Sequence, residues 1–179
     1  MTSFNSMQAV KRQFFALRNG IIADTIRKTT GAYKIIFGLN IPQLSDIAAA
    51  TGKNETLADA LWENKSTRES MMLAPMLVSA DTFPIEKSRK WASEAPTQEV
   101  ADILCHKLLR HTPYALELAE SLAQSPVSMD RYVAIRLLFN LLPASAPIAR
   151  KVCEHELTLH DSETMSITRR LLDELDFFQ

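Results

Sequence analysis

Signals for the start of a helix recur at intervals of about 30 to 36 residues, and no other feature of the sequence limits the possible folds as strongly. The first helices of successive pairs are predicted to begin near residues 66, 97, 127 and 163. Each pair is short and amphipathic, and one such pair cannot bury its apolar face alone. The spacing therefore predicts an all-α fold in which antiparallel helix pairs stack into a superhelix, as a single domain over residues 1–179. A compact helical bundle is the alternative.

Prolines and capping residues predict where individual helices begin. Pro42, Pro84 and Pro96 each open a helix, because proline is tolerated in the first helical turn. Residues 66–69 (Ser-Thr-Arg-Glu) have the pattern of a capping box, and Pro75 is expected to kink or shorten the helix that follows. No segment shows the alternation typical of β-strands. The predicted helices are 4–17, 42–52, 57–62, the segments that start near 66, 84 and 97, 114–123, 127–142, 147–160 and 163–178.

Composition excludes several classes of protein. Only four of the 179 residues are glycine, which argues against a β-sandwich, a Rossmann-type fold and a glycine-rich phosphate loop. Cys105 and Cys153 are too few for a disulfide framework, which fits a reducing compartment. No apolar run reaches the roughly 18 residues of a membrane span, and the first residues lack the order of a secretory signal. A cytoplasmic protein is therefore expected.

Charge is unevenly distributed along a chain whose formal net charge is only -1. Residues 1–40 contain six bases and one acid, whereas residues 154–179 contain seven acids and two bases. The basic N-terminal part is suited to a polyanion and the acidic end is not. Charges on solvated helix faces explain the same pattern equally well.

The helix after Pro96 carries the most informative polar residues. At about 100° per residue, its apolar stripe is formed by Val100, Ile103, Leu104 and Leu108. Gln98, Asp102 and His106 lie on the opposite side, one turn apart. Arg131 is predicted in the first turn of the next first helix, so parallel stacking would let Asp102 and Arg131 face one groove. The alternatives are a salt bridge between repeats and two unrelated solvated charges.

Other clusters of polar residues are weaker candidates for a site. Lys87, Arg89 and Lys90 lie near Trp91 and are candidate phosphate contacts, although a solvated helix face is the more common explanation of such a cluster. The pairs Cys105–His106 and Cys153–His155 lack the tight paired spacing of a structural zinc site. Neither a metal nor a cofactor is predicted.

Short segments in a constant order, spread over residues 37–142, resemble the DNA alkylation repair family, the HEAT-like-repeat alkylpurine DNA glycosylases. Each segment is moderately specific, and their order and spacing make the set informative. The chain thus resembles a divergent member of this family. The segments are Phe37-Gly38-Leu39-Asn40-Ile41-Pro42-Gln43-Leu44, Ile47-Ala48, Leu61-Trp62-Glu63, Arg68-Glu69 with Ala74, Trp91, Val100-Ala101-Asp102-Ile103-Leu104-Cys105, Thr112-Pro113 and Asp130-Arg131.

The resemblance implies a C-shaped stack of HEAT-like repeats that binds duplex DNA in a concave groove. A monomer is expected. It further implies hydrolysis of the bond between deoxyribose and a cationic N3- or N7-alkylated purine. By resemblance, Asp102 is the carboxylate that stabilises the sugar cation and Arg131 holds the DNA backbone, so these two are the candidate catalytic residues. The candidate substrate-binding residues are Gln98, Lys87, Arg89 and Lys90.

The sequence departs from the family pattern in its aromatic residues. Gln98 stands where family members carry a tryptophan one turn before the aspartate, and residues 163–179 lack the tryptophan expected in the last repeat. Trp62 and Trp91 match family positions that look structural. A catalytically inactive relative that binds distorted or branched DNA, and a protein-interaction scaffold, are therefore the alternative functions.

Overall fold

The computed structural model describes residues 3–177, with side chains from Asn5 onward, and this part of the chain is α-helical without a β-strand. The prediction of an all-α fold is confirmed. The chain divides into two compact units, Met1–Ser79 and Ala80–Gln179. A single domain over residues 1–179 stays a prediction.

The first unit contains five α-helices in its described part. Asn19, Asn40 and Asn54 cap three of them by accepting a backbone N–H, and Asn40 forms a capping box with Gln43. The helix predicted near 66 is short because Pro75 cannot continue it, and a 3₁₀ helix, Ala74–Leu77, follows. The helices are α1 (Ser3–Ala16), α2 (Gly20–Thr29), α3 (Ile41–Thr51), α4 (Glu55–Glu63) and α5 (Arg68–Leu73).

The predicted capping box at residues 66–69 is wrong. Thr67 precedes α5 without a side-chain cap. The Glu69 carboxylate is buried and accepts the backbone N–H groups of Phe37 (3.0 Å) and Gly38 (2.9 Å) and a guanidinium N–H of Arg68 (2.9 Å). Several donors from a distant loop outweigh one local cap, because an ionised carboxylate accepts stronger hydrogen bonds than neutral groups do.

The second unit contains six α-helices in its described part. They are α6 (Ile85–Glu94), α7 (Gln98–Lys107), α8 (Ala115–Leu122), α9 (Ser128–Asn140), α10 (Ala146–Leu159) and α11 (Met165–Asp176), with a 3₁₀ helix at Leu109–His111. The first helices α7 and α9 are packed side by side, and α9 also contacts α8, α10 and α11. Neighbours on all sides explain why α9 buries eight of its residues around most of its circumference.

The helix starts near 97, 127 and 163 agree with α7, α9 and α11 to within about two residues. One helix, α2, was not predicted. The Asn19-Gly20 pair has the pattern of a helix end, but Asn19 is also the N-cap of α2, since its side chain accepts from Ile22 N at 3.1 Å.

Candidate functional site

Asp102 lies on the partly exposed side of α7. The helix begins after Thr97, whose hydroxyl accepts from Val100 N, and its apolar stripe is buried. The Asp102 side chain is 38% exposed, so it lies outside that stripe and remains accessible to a ligand.

Two side chains from α9 hold the Asp102 carboxylate. The Tyr132 hydroxyl donates to Oδ1 at 2.9 Å, and Arg136 donates from Nε to Oδ1 at 2.6 Å and from Nη2 to Oδ2 at 3.0 Å. Tyr132 and Arg136 are four residues apart and therefore lie on one face of α9. The two-pronged contact fixes the plane of the carboxylate more firmly than a single hydrogen bond would.

Burial and charge set the protonation of this cluster. Burial raises the pKa of Tyr132 to about 12, so its hydroxyl keeps the proton that it donates to Asp102. Burial disfavours the charge of Arg136, but Tyr132 and Asp102 outweigh it and raise the pKa of the guanidinium. Cys105, three residues after Asp102, is fully buried, and burial followed by the charge of Asp102 raises the pKa of its thiol. Cys105 is therefore unsuited to act as a nucleophile.

Arg131 does not contact Asp102. It is buried, and its Nε donates to both Glu156 carboxylate oxygens at 3.0–3.1 Å, while Nη1 donates to Ser125 O at 3.0 Å. A third contact joins Nη2 to the Asp161 carboxylate. The expected shared groove for Asp102 and Arg131 is thus corrected: the arginine on Asp102 is Arg136.

Helix geometry explains this correction. Asp102 is the fifth residue of α7 and Tyr132 the fifth of α9, so parallel stacking brings these two to the same level. Adjacent helical residues point about 100° apart, so Arg131 faces away from α7 when Tyr132 faces it. Arg136, one turn beyond Tyr132, returns to the α7 side. The start of α9 follows that of α7 by 30 residues, which leads from Asp102 to Tyr132, so the repeat interval alone does not choose between Arg131 and Arg136.

The four candidate substrate-binding residues have contacts within the chain. Gln98 is exposed and its Nε2 donates to Glu163 O at 2.9 Å. The Lys87 ammonium lies 5.4 Å and 5.6 Å from the ring centroids of Phe83 and Trp91. On the same helix, Arg89 donates to the Ser121 hydroxyl, and the Lys90 ammonium is 3.9 Å from the Glu94 carboxylate. Their binding of a substrate stays a prediction.

Neither tryptophan of the sequence is accessible to a ligand. Trp62 and Trp91 are buried in the first and second unit, and Trp91 packs edge-on against Phe83 at 5.0 Å. Within residues 3–177, no group of three or more His, Cys, Asp or Glu side chains is placed to hold a metal ion. None of the helices in this described part has both the length and the apolar character for crossing a membrane.

The fold and the Asp102–Arg136–Tyr132 cluster define a helical-repeat protein in which two side chains of α9 hold a carboxylate of α7. A family model described as DNA alkylation repair enzyme matches residues 10–178. The chain therefore belongs to the DNA alkylation repair enzyme family.

A solved structure supports the fold assignment. The chain is similar to a member of a new family of proteins related to the HEAT-like repeat DNA glycosylases with affinity for branched DNA structures. The TM-score is 0.77 at 16% sequence identity, over 93% of this chain and 74% of the other. This likeness establishes the HEAT-like fold, as predicted. No curated protein shows significant similarity to the chain.

Proposed function

We propose that this protein binds duplex DNA through the α7–α9 face and hydrolyses the N-glycosidic bond of cationic N3- or N7-alkylpurines at Asp102. One observation carries the proposal: a partly exposed carboxylate, fixed in orientation by Arg136 and Tyr132, in a chain of the DNA alkylation repair family. Preorganised charge of this kind is the usual source of electrostatic catalysis.

Arg136 takes the role of holding the DNA backbone that the sequence suggested for Arg131. Its Nε and Nη2 face Asp102, whereas Nη1 donates to no group among residues 3–177. The side chain is 18% exposed, and we expect a phosphate oxygen to reach it at Nη1. A guanidinium that contacts a carboxylate on one edge and a phosphate on the other fixes the sugar between them.

The reaction needs little from the protein beyond the negative charge of Asp102. An alkylated purine is already cationic, so its nitrogen takes the electron pair of the breaking bond and leaves as a neutral base without a general acid. The deoxyribose then carries the positive charge at C1′, beside Asp102. Water adds to C1′ and gives its proton to solvent or to the carboxylate. A preorganised carboxylate contributes on the order of 3 kcal/mol to such a transition state.

A second function is favoured by the aromatic residues. Gln98 supplies no ring beside Asp102, and both tryptophans are buried. Each missing ring–cation contact is worth roughly 0.5–2 kcal/mol. These losses favour a protein that binds branched DNA without releasing a base. Affinity for branched DNA structures is described for the structurally similar protein.

Base release decides between the two functions. Alkylated duplex DNA is incubated with wild type, Asp102→Asn and the matched control Asp173→Asn, whose carboxylate is exposed on α11. Glycosylase function predicts release of 7-methylguanine or 3-methyladenine by wild type and the control, and about 100-fold slower release by Asp102→Asn. Equal release by all three proteins would remove Asp102 from the mechanism. Tight DNA binding without any release would select the second function.

The missing ring allows a gain-of-function test. Gln98→Trp is expected to raise the rate of base release by about threefold to thirtyfold if a ring–cation contact is what the site lacks. An unchanged rate, with DNA binding intact, would show that the absent ring does not limit the reaction.

A further inference from the structure

Four apolar side chains at the junction of α1 and α2 are exposed although both helices already have a buried face. We call Phe15, Leu17, Ile21 and Ile22 the apolar corner; Phe15 is 58% exposed and Ile21 82%. The buried face of the same two helices uses other residues, namely Val10, Phe14 and Ala23. The corner is therefore not part of the core of the first unit. Exposed apolar side chains that are close together along the chain are candidates for a binding surface.

The surroundings of the apolar corner are cationic. Between residues 11 and 28 there are five bases and one acid. The acid, Asp24, is paired with Arg27 at 2.6 Å. Apolar side chains in a positively charged segment fit a polyanion that also offers apolar faces.

Arg18 and Phe15 form a cation–π pair within the corner. The guanidinium carbon lies 3.9 Å from the Phe15 ring centroid, and Nη1 donates to Phe15 O at 2.8 Å. The hydrogen bond to the backbone fixes the guanidinium over the ring. Aromatic rings and guanidinium planes are the groups on which nucleic-acid bases stack.

We infer that the apolar corner stacks on base faces exposed where DNA branches, while the surrounding Lys and Arg side chains contact phosphates. This inference rests on the proposed DNA-binding function. In an intact duplex, base faces are covered by their neighbours, and inserting a side chain costs the energy of unstacking. At a branch point stacking is already interrupted, so the same contact costs less. The corner therefore gives selectivity for branched over linear DNA.

The test separates branch recognition from DNA binding in general. Kd is measured for a linear duplex and for a three-way junction built from the same arms. The proteins are wild type, the double variant Phe15→Ser/Ile21→Ser and the control Phe177→Ser. Phe177 is also exposed, at 84%, but lies next to the acidic Asp176. All substituted side chains are outside the core, so the variants are expected to fold, and circular dichroism checks this.

Wild type and control are expected to bind the junction more tightly than the duplex. The double variant is expected to lose about tenfold or more in junction affinity and about twofold or less in duplex affinity. A 2-aminopurine base at the branch reports the contact, because its fluorescence changes with stacking in wild type but not in the double variant.

Two results overturn the inference while leaving duplex binding intact: equal wild-type affinity for both DNAs, or a double variant that keeps the junction preference. Binding of neither DNA would refute the proposed function, and the inference with it. Binding of phosphatidylserine vesicles that needs Phe15 and Ile21, without junction binding, would reassign the corner to a membrane surface and overturn the inference.

Discussion

Replacement of Arg131 is expected to destabilise the second unit, whereas replacement of Arg136, on the same helix, is expected to change its stability little. Arg131 is buried and compensates Glu156, which is also buried and accepts from the Thr164 hydroxyl at 2.6 Å. Arg131→Gln leaves the Glu156 carboxylate in the protein interior without its cation. Removing one partner of a buried ion pair costs about 3–5 kcal/mol.

The matched change, Arg136→Gln, breaks an ion pair with one carboxylate at a more exposed position. The Asp102 side chain is 38% exposed, so water replaces much of the lost interaction. Solvent screening limits the cost to about 1 kcal/mol or less. The two variants share the residue exchange, the helix and the lost charge, and they differ in burial and in the second carboxylate, Asp161, that Arg131 also contacts.

Urea unfolding followed by circular dichroism measures both free energies. Arg131→Gln is expected to lower the free energy of unfolding by about 3–5 kcal/mol and the melting temperature by about 6 to 20 °C. Arg136→Gln is expected to remain within about 1 kcal/mol of wild type. A larger loss in Arg136→Gln than in Arg131→Gln would refute the assignment of Arg131 to structure and Arg136 to the site.

Two further predictions concern backbone geometry and pH. Gly38→Ala is expected to lower the free energy of unfolding by at least about 2 kcal/mol, because Gly38 has φ +81° and an added Cβ would lie 2.3 Å from Asn19 O. The control is Gly31→Ala, since there is open space around Gly31. Equal melting temperatures for the two variants would contradict the reasoning. Hydrogen bonds from the Ser128 hydroxyl and the backbone lower the pKa of Asp161. Its contribution to stability is therefore present above about pH 4, the unfolded value, and is lost as pH falls through the folded pKa. The gap in unfolding free energy between wild type and Asp161→Asn should narrow below pH 4, and a gap that is constant with pH would be evidence against this hydrogen bonding.

The sequence predicts those features that depend on local signals. Prolines mark helix starts because their effect on the backbone needs no partner. Pro84 directly precedes α6, and Pro96 precedes Thr97, the N-cap of α7. The exposure of Asp102 follows from the 3.6-residue period of α7. Local signals that fit two different structures lead to wrong predictions. Asn19-Gly20 fits a helix end and a helix start, and Glu69 fits a cap but binds a distant loop.

The choice of arginine at the site could not be predicted from local periodicity. Asp102 and Arg136 meet because α7 and α9 pack in a particular register, and that register depends on side-chain packing along the whole of both helices. Periodicity along one helix specifies the direction of a side chain around the axis but not its level against a neighbouring helix. The 30-residue interval between the starts of α7 and α9 leads from Asp102 to Tyr132, and Arg136 lies one helical turn beyond.

The salt dependence of duplex binding tests most directly whether DNA contacts the cluster at Asp102. Each phosphate neutralised by a cation adds about 0.9 to the slope of log affinity against log salt. Arg136→Gln is expected to reduce the magnitude of that slope by about 0.9, the contribution of one phosphate contact, and to weaken binding. The control Arg150→Gln, from an exposed pair with Asp176, is expected to leave both unchanged. Identical slopes for wild type and Arg136→Gln would contradict a DNA contact at this site.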